Sequence, residues 1–129
     1  MAAVESVLLV DDDPAMLDGL SALCGVLGIS RVCQTSSAEE ALEILQRDSF
    51  SLILSDYRLE GLSGVDLVTT IREQGIETPV ILLSGAPDKT GVIKAVQHPR
   101  VDFFTKPFAI SDLEAAMRRL TQLPASSVM

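Results

Sequence analysis

The chain of 129 residues has few aromatic residues and few basic ones. Aromatic residues make up 4% of it, with no tryptophan, whereas the apolar residues together make up 47%. The core must therefore consist mainly of Val, Ile, Leu and Ala, as in buried parallel sheets. Ten Lys and Arg residues against 18 Asp and Glu residues give a net charge of −8. This charge argues against non-specific nucleic-acid binding, which needs a basic surface.

Cysteines and long apolar runs are also scarce. Cys24 and Cys33 have no metal-ligand spacing and no histidine nearby, so we interpret them as free thiols in a reducing compartment. No apolar run approaches the roughly 18 residues of a membrane span, and no basic leader precedes an apolar stretch. We therefore expect a cytoplasmic protein with no membrane contact. It would have one domain over residues 1–122, and residues 123–129 would form a flexible tail or the start of a linker.

Short apolar runs alternate with helix-length amphipathic segments along the chain. The runs predict strands at residues 5–10, 30–34, 50–55, 79–84 and 101–104. Asp13 is a candidate N-cap for the first helix, and capping boxes Ser37 to Glu40 and Ser111 to Glu114 open the second and fifth helices. This alternation predicts an α/β fold, a doubly wound parallel sheet with helices on both faces.

Three consecutive aspartates, Asp11, Asp12 and Asp13, directly follow the first predicted strand. Carboxylates crowded there repel one another unless a cation lies among them, which predicts a divalent-metal site, with Asp13 better explained as the helix cap. Further polar groups follow the later strands: Asp56 after the third, Ser84 after the fourth and Lys106 after the fifth. In such a fold all of them lie at one edge of the sheet. The set suits Mg²⁺-assisted transfer of a phosphoryl group to a carboxylate.

Four segments at these strand ends resemble the receiver domain of two-component response regulators. They are Val10-Asp11-Asp12-Asp13-Pro14, Leu54-Ser55-Asp56-Tyr57-Arg58-Leu59 with Gly64 following, Leu83-Ser84-Gly85 and Phe103-Phe104-Thr105-Lys106-Pro107-Phe108. The resemblance covers about residues 5–122. It implies a flavodoxin-like five-stranded sheet of order 2-1-3-4-5 with five helices.

The resemblance also implies a role for each site residue. Asp56 would accept a phosphoryl group from a sensor histidine kinase or a phosphotransfer protein, and Lys106 and Ser84 would contact the phosphoryl oxygens. The implied ligands of Mg²⁺, or of Mn²⁺, are Asp12, Asp56, the backbone carbonyl of Arg58 and, through a water molecule, Asp11. The chain would catalyse only its own phosphorylation and dephosphorylation, and so would not be an enzyme acting on a separate substrate.

A switch is implied by Ser84 and Phe103. Both would move toward the phosphorylated site and change the face formed by helix four, strand five and helix five. That face would regulate a downstream output domain or protein, with no direct nucleic-acid contact. A phosphorylation-dependent homodimer through it is left open. The Lys106–Pro107 bond is expected to be cis.

Several positions depart from the family pattern. Phe103 lacks the hydroxyl of the tyrosine common there, and Pro99-Arg100-Val101 replaces the usual Gly-Ala before strand five. Arg58 and Ala86 occupy positions that tune the lifetime of the phosphoryl group in this family. Neither can orient a hydrolytic water as an acid or amide does, so we expect slow self-dephosphorylation.

Two alternative functions share parts of this pattern. A haloacid-dehalogenase-like phosphohydrolase also uses an aspartate nucleophile, and Asp11 and Asp13 have its Asp-x-Asp spacing. However, Pro14-Ala15 follows where that family has Thr or Val, and the chain has no cap insertion. A non-phosphorylated interaction domain would keep the fold alone, but every acceptor-site residue type is present.

Overall fold

The computed structural model describes residues 4–86 and 89–122. The expected tail, residues 123–129, lies outside that part of the chain. Five strands alternate with five helices: β1 (Ser6–Val10), α1 (Pro14–Val26), β2 (Arg31–Thr35), α2 (Ala38–Arg47), β3 (Leu52–Asp56), α3 (Gly64–Glu73), β4 (Val80–Ser84), α4 (Lys89–Val96), β5 (Val101–Thr105) and α5 (Ile110–Gln122). The strands form one parallel sheet in the order β2-β1-β3-β4-β5, which confirms the predicted topology.

Alternate residues along the strands face opposite sides of the sheet, and each side has its own hydrophobic core. Val7 and Leu9 of β1 pack with α1 and α5, whereas Leu8 and Val10 pack with α2, α3 and α4. All four of these side chains have no exposed surface. Because β1 is covered on both faces, its sequence is a continuous apolar run.

Side-chain caps mark where α1 and α2 begin. Asp13 accepts a hydrogen bond from the Ala15 amide at 3.0 Å, as predicted for the cap of α1. At α2, Ser37 accepts from the Glu40 amide at 3.1 Å. The Glu40 carboxylate instead accepts a hydrogen bond from the Thr35 hydroxyl, so only half of the predicted capping box forms. The cap of α1 thus sets the end of the acidic loop that precedes it.

The predicted start of the fifth helix was wrong. Helix α5 begins at Ile110, and the Ala109 carbonyl accepts from the amides of Asp112 and Leu113, each at 3.1 Å. Ser111 therefore lies inside the first turn and is not its cap. None of the helices in the described ranges combines the length and apolar composition needed to cross a bilayer.

Candidate functional site

The register of the central strands brings the acidic residues together. Val10 of β1 is paired with Ser55 of β3, so the residues that follow them, Asp11 and Asp56, lie side by side. Strand order reverses between β1 and β3, and ligands of open α/β sheets bind at such a point. One carboxylate oxygen from each of Asp11, Asp12 and Asp56 lies within 4.8 Å of the others. The predicted cluster is therefore present at the predicted edge of the sheet.

Asp11 lies at the buried end of this cluster and is 2% exposed. Burial raises the pKa of its carboxyl, the charge of Asp56 raises it further, and a hydrogen bond from the Asp13 amide opposes both effects. A buried carboxylate beside two others gains most from a nearby cation. The donor set, three carboxylates from the loop after β1 and the last residue of β3, thus fits a hard divalent cation such as Mg²⁺.

Lys106 provides the positive charge at the site. Its Nζ lies 3.4 Å from Oδ1 of Asp56, and the two side chains are 25% and 15% exposed. The lysine is placed by β5, where Thr105 pairs with Ser84 of β4 and the Lys106 amide donates to the Ser84 carbonyl at 2.7 Å. The following peptide bond, Lys106–Pro107, is cis, as predicted. An ammonium and a carboxylate are therefore held close together without being fully removed from water.

Ser84 is buried, with 1% of its surface exposed. Its hydroxyl oxygen accepts a hydrogen bond from the Ala86 amide at 3.1 Å. Phe103 is half-buried on β5, and its ring meets the Tyr57 ring edge-on with centroids 5.5 Å apart. Both predicted switch residues thus flank the loops around Asp56, and their movement stays a prediction.

Arg58 follows Asp56 by two residues and is exposed. Its backbone carbonyl lies in the loop that directly follows Asp56, and its role as a metal ligand also stays a prediction. Its side chain extends across to the next loop, where Nη2 donates to the Ala86 carbonyl at 3.1 Å. Nothing in the local sequence pattern indicated this contact, because it joins residues 28 apart in the chain.

Gly64, the first residue of α3, lies very close to the backbone of Asp56 and Tyr57. Its amide donates to the Tyr57 carbonyl at 2.6 Å. A Cβ at this position would lie 2.8 Å from the Asp56 carbonyl oxygen and 2.9 Å from Leu82. The sequence motif includes this glycine, and the structure explains why. Only a residue without a side chain allows the backbone of α3 to lie so close to Asp56 and Leu82.

The sequence matches one protein family over most of its length. The family model described as the response regulator receiver domain matches residues 7–118. The response regulator protein TodT of Pseudomonas putida is 36% identical over 117 residues, which is 91% of this chain and 51% of TodT. The chain thus spans about half the length of that relative.

Solved structures agree with this match. A response regulator receiver domain from Clostridium thermocellum superposes with a TM-score of 0.84 at 26% identity, covering 92% of this chain and 94% of that one. The receiver domain of a sensor histidine kinase from Pseudomonas aeruginosa has a TM-score of 0.79 at 28% identity, with 92% and 98% covered. That protein has a magnesium ion coordinated in its active-site cleft.

Proposed function

Since the chain belongs to the receiver domain family of response regulators, we propose that it is a signalling switch controlled by phosphorylation of Asp56. The observation that carries this proposal is the grouping of Asp56 with two further carboxylates and the Lys106 ammonium at one edge of the sheet. Such a grouping suits a nucleophilic carboxylate whose phosphorylated form needs its charge neutralised.

The proposed reaction is a simple displacement at phosphorus. A carboxylate oxygen of Asp56 attacks the phosphoryl group of a phosphohistidine on the donor protein, forming an acyl phosphate. The phosphorus–nitrogen bond breaks, and the imidazole keeps the electron pair and takes up a proton. Lys106, already 3.4 Å from Asp56, pairs with a phosphoryl oxygen of the product.

We assign Asp11, Asp12, Asp56 and the Arg58 carbonyl as the site that holds Mg²⁺. The bound ion would supply Lewis-acid neutralisation of the phosphoryl oxygens. Mn²⁺ takes the same oxygen ligands and is expected to support the reaction as well. Asp13 stays outside the ligand set because its carboxylate caps α1. That use of Asp13 also argues against the haloacid-dehalogenase alternative, which needs it as a second acid.

The proposed output is a change in the surface formed by α4, β5 and α5. The Ser84 hydroxyl moves toward the phosphoryl group, and Phe103 moves with it, so that phosphorylation shifts an existing equilibrium between two states. A sensor histidine kinase or phosphotransfer protein would supply the phosphoryl group, and an output domain or protein would read the surface. We place this activity in the cytoplasm, where the free thiols Cys24 and Cys33 would stay reduced.

Intact mass spectrometry tests the proposal. The protein is incubated with acetyl phosphate and Mg²⁺, with parallel samples in EDTA and an Asp56→Asn variant. We expect one phosphoryl adduct that needs Mg²⁺ and is absent from the variant. Folded protein that binds Mg²⁺ but gains no adduct would instead favour a non-phosphorylated interaction domain.

The same samples give the lifetime of the adduct after the donor is removed. Neither Arg58 nor Ala86 offers a carboxylate or amide side chain to orient a hydrolytic water, so we expect slow loss of the phosphoryl group. Complete loss within seconds would contradict this expectation.

A further inference from the structure

The Arg58 side chain connects the two loops that flank the phosphoacceptor. It starts in the loop after β3, and its Nη2 donates to the Ala86 carbonyl in the loop after β4 at 3.1 Å. On the way its guanidinium lies over the Tyr57 ring, 5.8 Å from the centroid. A flat guanidinium can lie on an aromatic face and still donate hydrogen bonds from its edge.

Ala86 is hydrogen-bonded to both Arg58 and Ser84. While the Ala86 carbonyl accepts from Arg58, the Ala86 amide donates to the Ser84 hydroxyl at 3.1 Å. The Ser84 hydroxyl oxygen is therefore oriented by a loop whose position depends partly on Arg58. A hydroxyl that moves to a phosphoryl group must leave this arrangement.

Arg58 is also linked to the second switch residue. The Tyr57 ring beneath its guanidinium meets the Phe103 ring edge-on, with centroids 5.5 Å apart. Arg58, Tyr57 and Phe103 thus form a continuous chain of side-chain contacts from the loop after β3 to β5. Arg58 therefore contacts Ala86, which binds Ser84. It also contacts Tyr57, which packs against Phe103.

From these contacts we infer that Arg58 is a latch that stabilises the resting arrangement of the loop after β4. This inference rests on the proposed function, since it assigns a role within the same switch. Arg58 is here a positioning residue: it acts through Ala86 and Tyr57, and it supports the hydrogen bond from the Ala86 amide that Ser84 must lose before it reaches the phosphoryl group. The latch lowers the population of the phosphorylation-competent state in the unmodified protein.

The latch predicts the direction in which a substitution acts. Arg58→Ala removes an exposed charge-assisted hydrogen bond and an exposed cation–π contact, which should raise the competent population and the rate of adduct formation about threefold. A different role for Arg58, attraction of the anionic phosphodonor, predicts the opposite sign, because losing the positive charge would slow the reaction.

The experiment measures two quantities for the wild type, Arg58→Ala and Arg47→Ala. The first is the initial rate of Mg²⁺-dependent adduct formation from acetyl phosphate, followed by intact mass. The second is amide hydrogen exchange at Ala86 in the unphosphorylated protein, followed by NMR. Arg47→Ala is the matched control because it removes an exposed arginine at the end of α2.

We expect Arg58→Ala to speed both adduct formation and Ala86 exchange while Arg47→Ala leaves both unchanged. Unchanged or slower adduct formation in Arg58→Ala, with normal wild-type phosphorylation, would overturn the latch alone. Unchanged exchange at Ala86 would also overturn it. A wild type that forms no adduct would overturn the proposed function, and the latch with it.

Discussion

Gly64 lies where the site has no room for a side chain. An added Cβ would meet the Asp56 carbonyl oxygen at 2.8 Å, and that backbone atom cannot move without displacing the phosphoacceptor. We expect Gly64→Ala to lower the free energy of unfolding by about 2 kcal/mol and to slow phosphorylation of Asp56. Denaturant unfolding and the adduct assay measure the two effects.

Gly19 provides the matched control for Gly64. It lies within α1, and a Cβ there meets nothing within 4 Å. Gly19→Ala is therefore expected to raise the free energy of unfolding by about 0.5–1 kcal/mol, because alanine restricts the unfolded chain. Equal destabilisation by the two substitutions would show that close packing at Gly64 is not the cause.

The two cysteines differ in how readily they should react. Cys24 is 1% exposed, and burial raises the pKa of its thiol to about 11. Cys33 is half-buried on β2, an edge strand of the sheet. Since the thiolate is the reactive form, iodoacetamide near pH 8 should modify Cys33 well before Cys24. Peptide mapping after timed labelling checks the order, and equal labelling of folded protein would contradict it.

At the scale of elements, the turn between α4 and β5 depends on a side chain from α3. Arg72 donates to the Pro99 carbonyl from Nε and Nη2, at 3.2 and 3.0 Å, and to the Ile76 carbonyl from Nη1 at 3.0 Å. Burial lowers the pKa of its guanidinium, which nevertheless stays charged at neutral pH. The turn includes Arg100 at φ 61°, a left-handed conformation that favours glycine. Arg72 thus stabilises the strained turn that leads into the proposed switch strand.

We expect Arg72→Ala to lower the free energy of unfolding by about 2–3 kcal/mol, because it leaves the Pro99 and Ile76 carbonyls without this donor. Urea denaturation measures the loss. Arg118→Ala is the control: Arg118 is exposed and pairs with Glu114 one turn away in α5, so its loss should cost about 0.5 kcal/mol. Similar losses in both variants would refute a special role for Arg72.

The order and type of every strand and helix could be predicted from the sequence, because local apolar periodicity reflects which faces are buried. Predicted strand limits differ from the observed ones by at most two residues; the third strand, expected from residue 50, begins at Leu52. The start of α5 was misplaced since Ser111 has the chemistry of a cap. Backbone hydrogen bonds to Ala109 begin the helix earlier.

The acidic cluster and its lysine could be predicted because parallel strands bring their carboxyl ends to one edge. The contacts made by Arg58 and Arg72 could not. Both arginines reach residues more than 25 positions away, and a long flexible side chain leaves no periodic signal at either end. The full capping box between Ser63 and Asp66 was local and was simply missed.

For the whole molecule, the carboxylates that would bind a cation also lower the stability of the folded state when no cation is bound. The chain has a net charge of −8, and three carboxylates whose oxygens lie within 4.8 Å add concentrated repulsion at one end of the sheet. Lys106 offsets part of this repulsion through its pairing with Asp56. Without a cation, repulsion among these carboxylates therefore destabilises the folded state. Unfolding relieves the repulsion because it moves the charges apart.

Asp11→Asn tests this conflict directly. Asparagine can still accept the Asp13 amide hydrogen bond, but it removes the buried charge. In EDTA we expect the variant to be more stable than the wild type by about 1 kcal/mol, which raises Tm by a few degrees. Differential scanning calorimetry of both proteins in EDTA and in Mg²⁺, at matched ionic strength, measures the effect.

Mg²⁺ should reverse the order of the two proteins. At about a hundredfold excess over its Kd it should stabilise the wild type by about 2.7 kcal/mol, because it binds only the folded cluster. Asp11→Asn, with one carboxylate fewer, should gain much less. If Mg²⁺ raised Tm equally in both proteins, the ion would be acting elsewhere on the acidic surface. If the variant were less stable in EDTA, burial of Asp11 would contribute more through hydrogen bonding than it costs through charge repulsion.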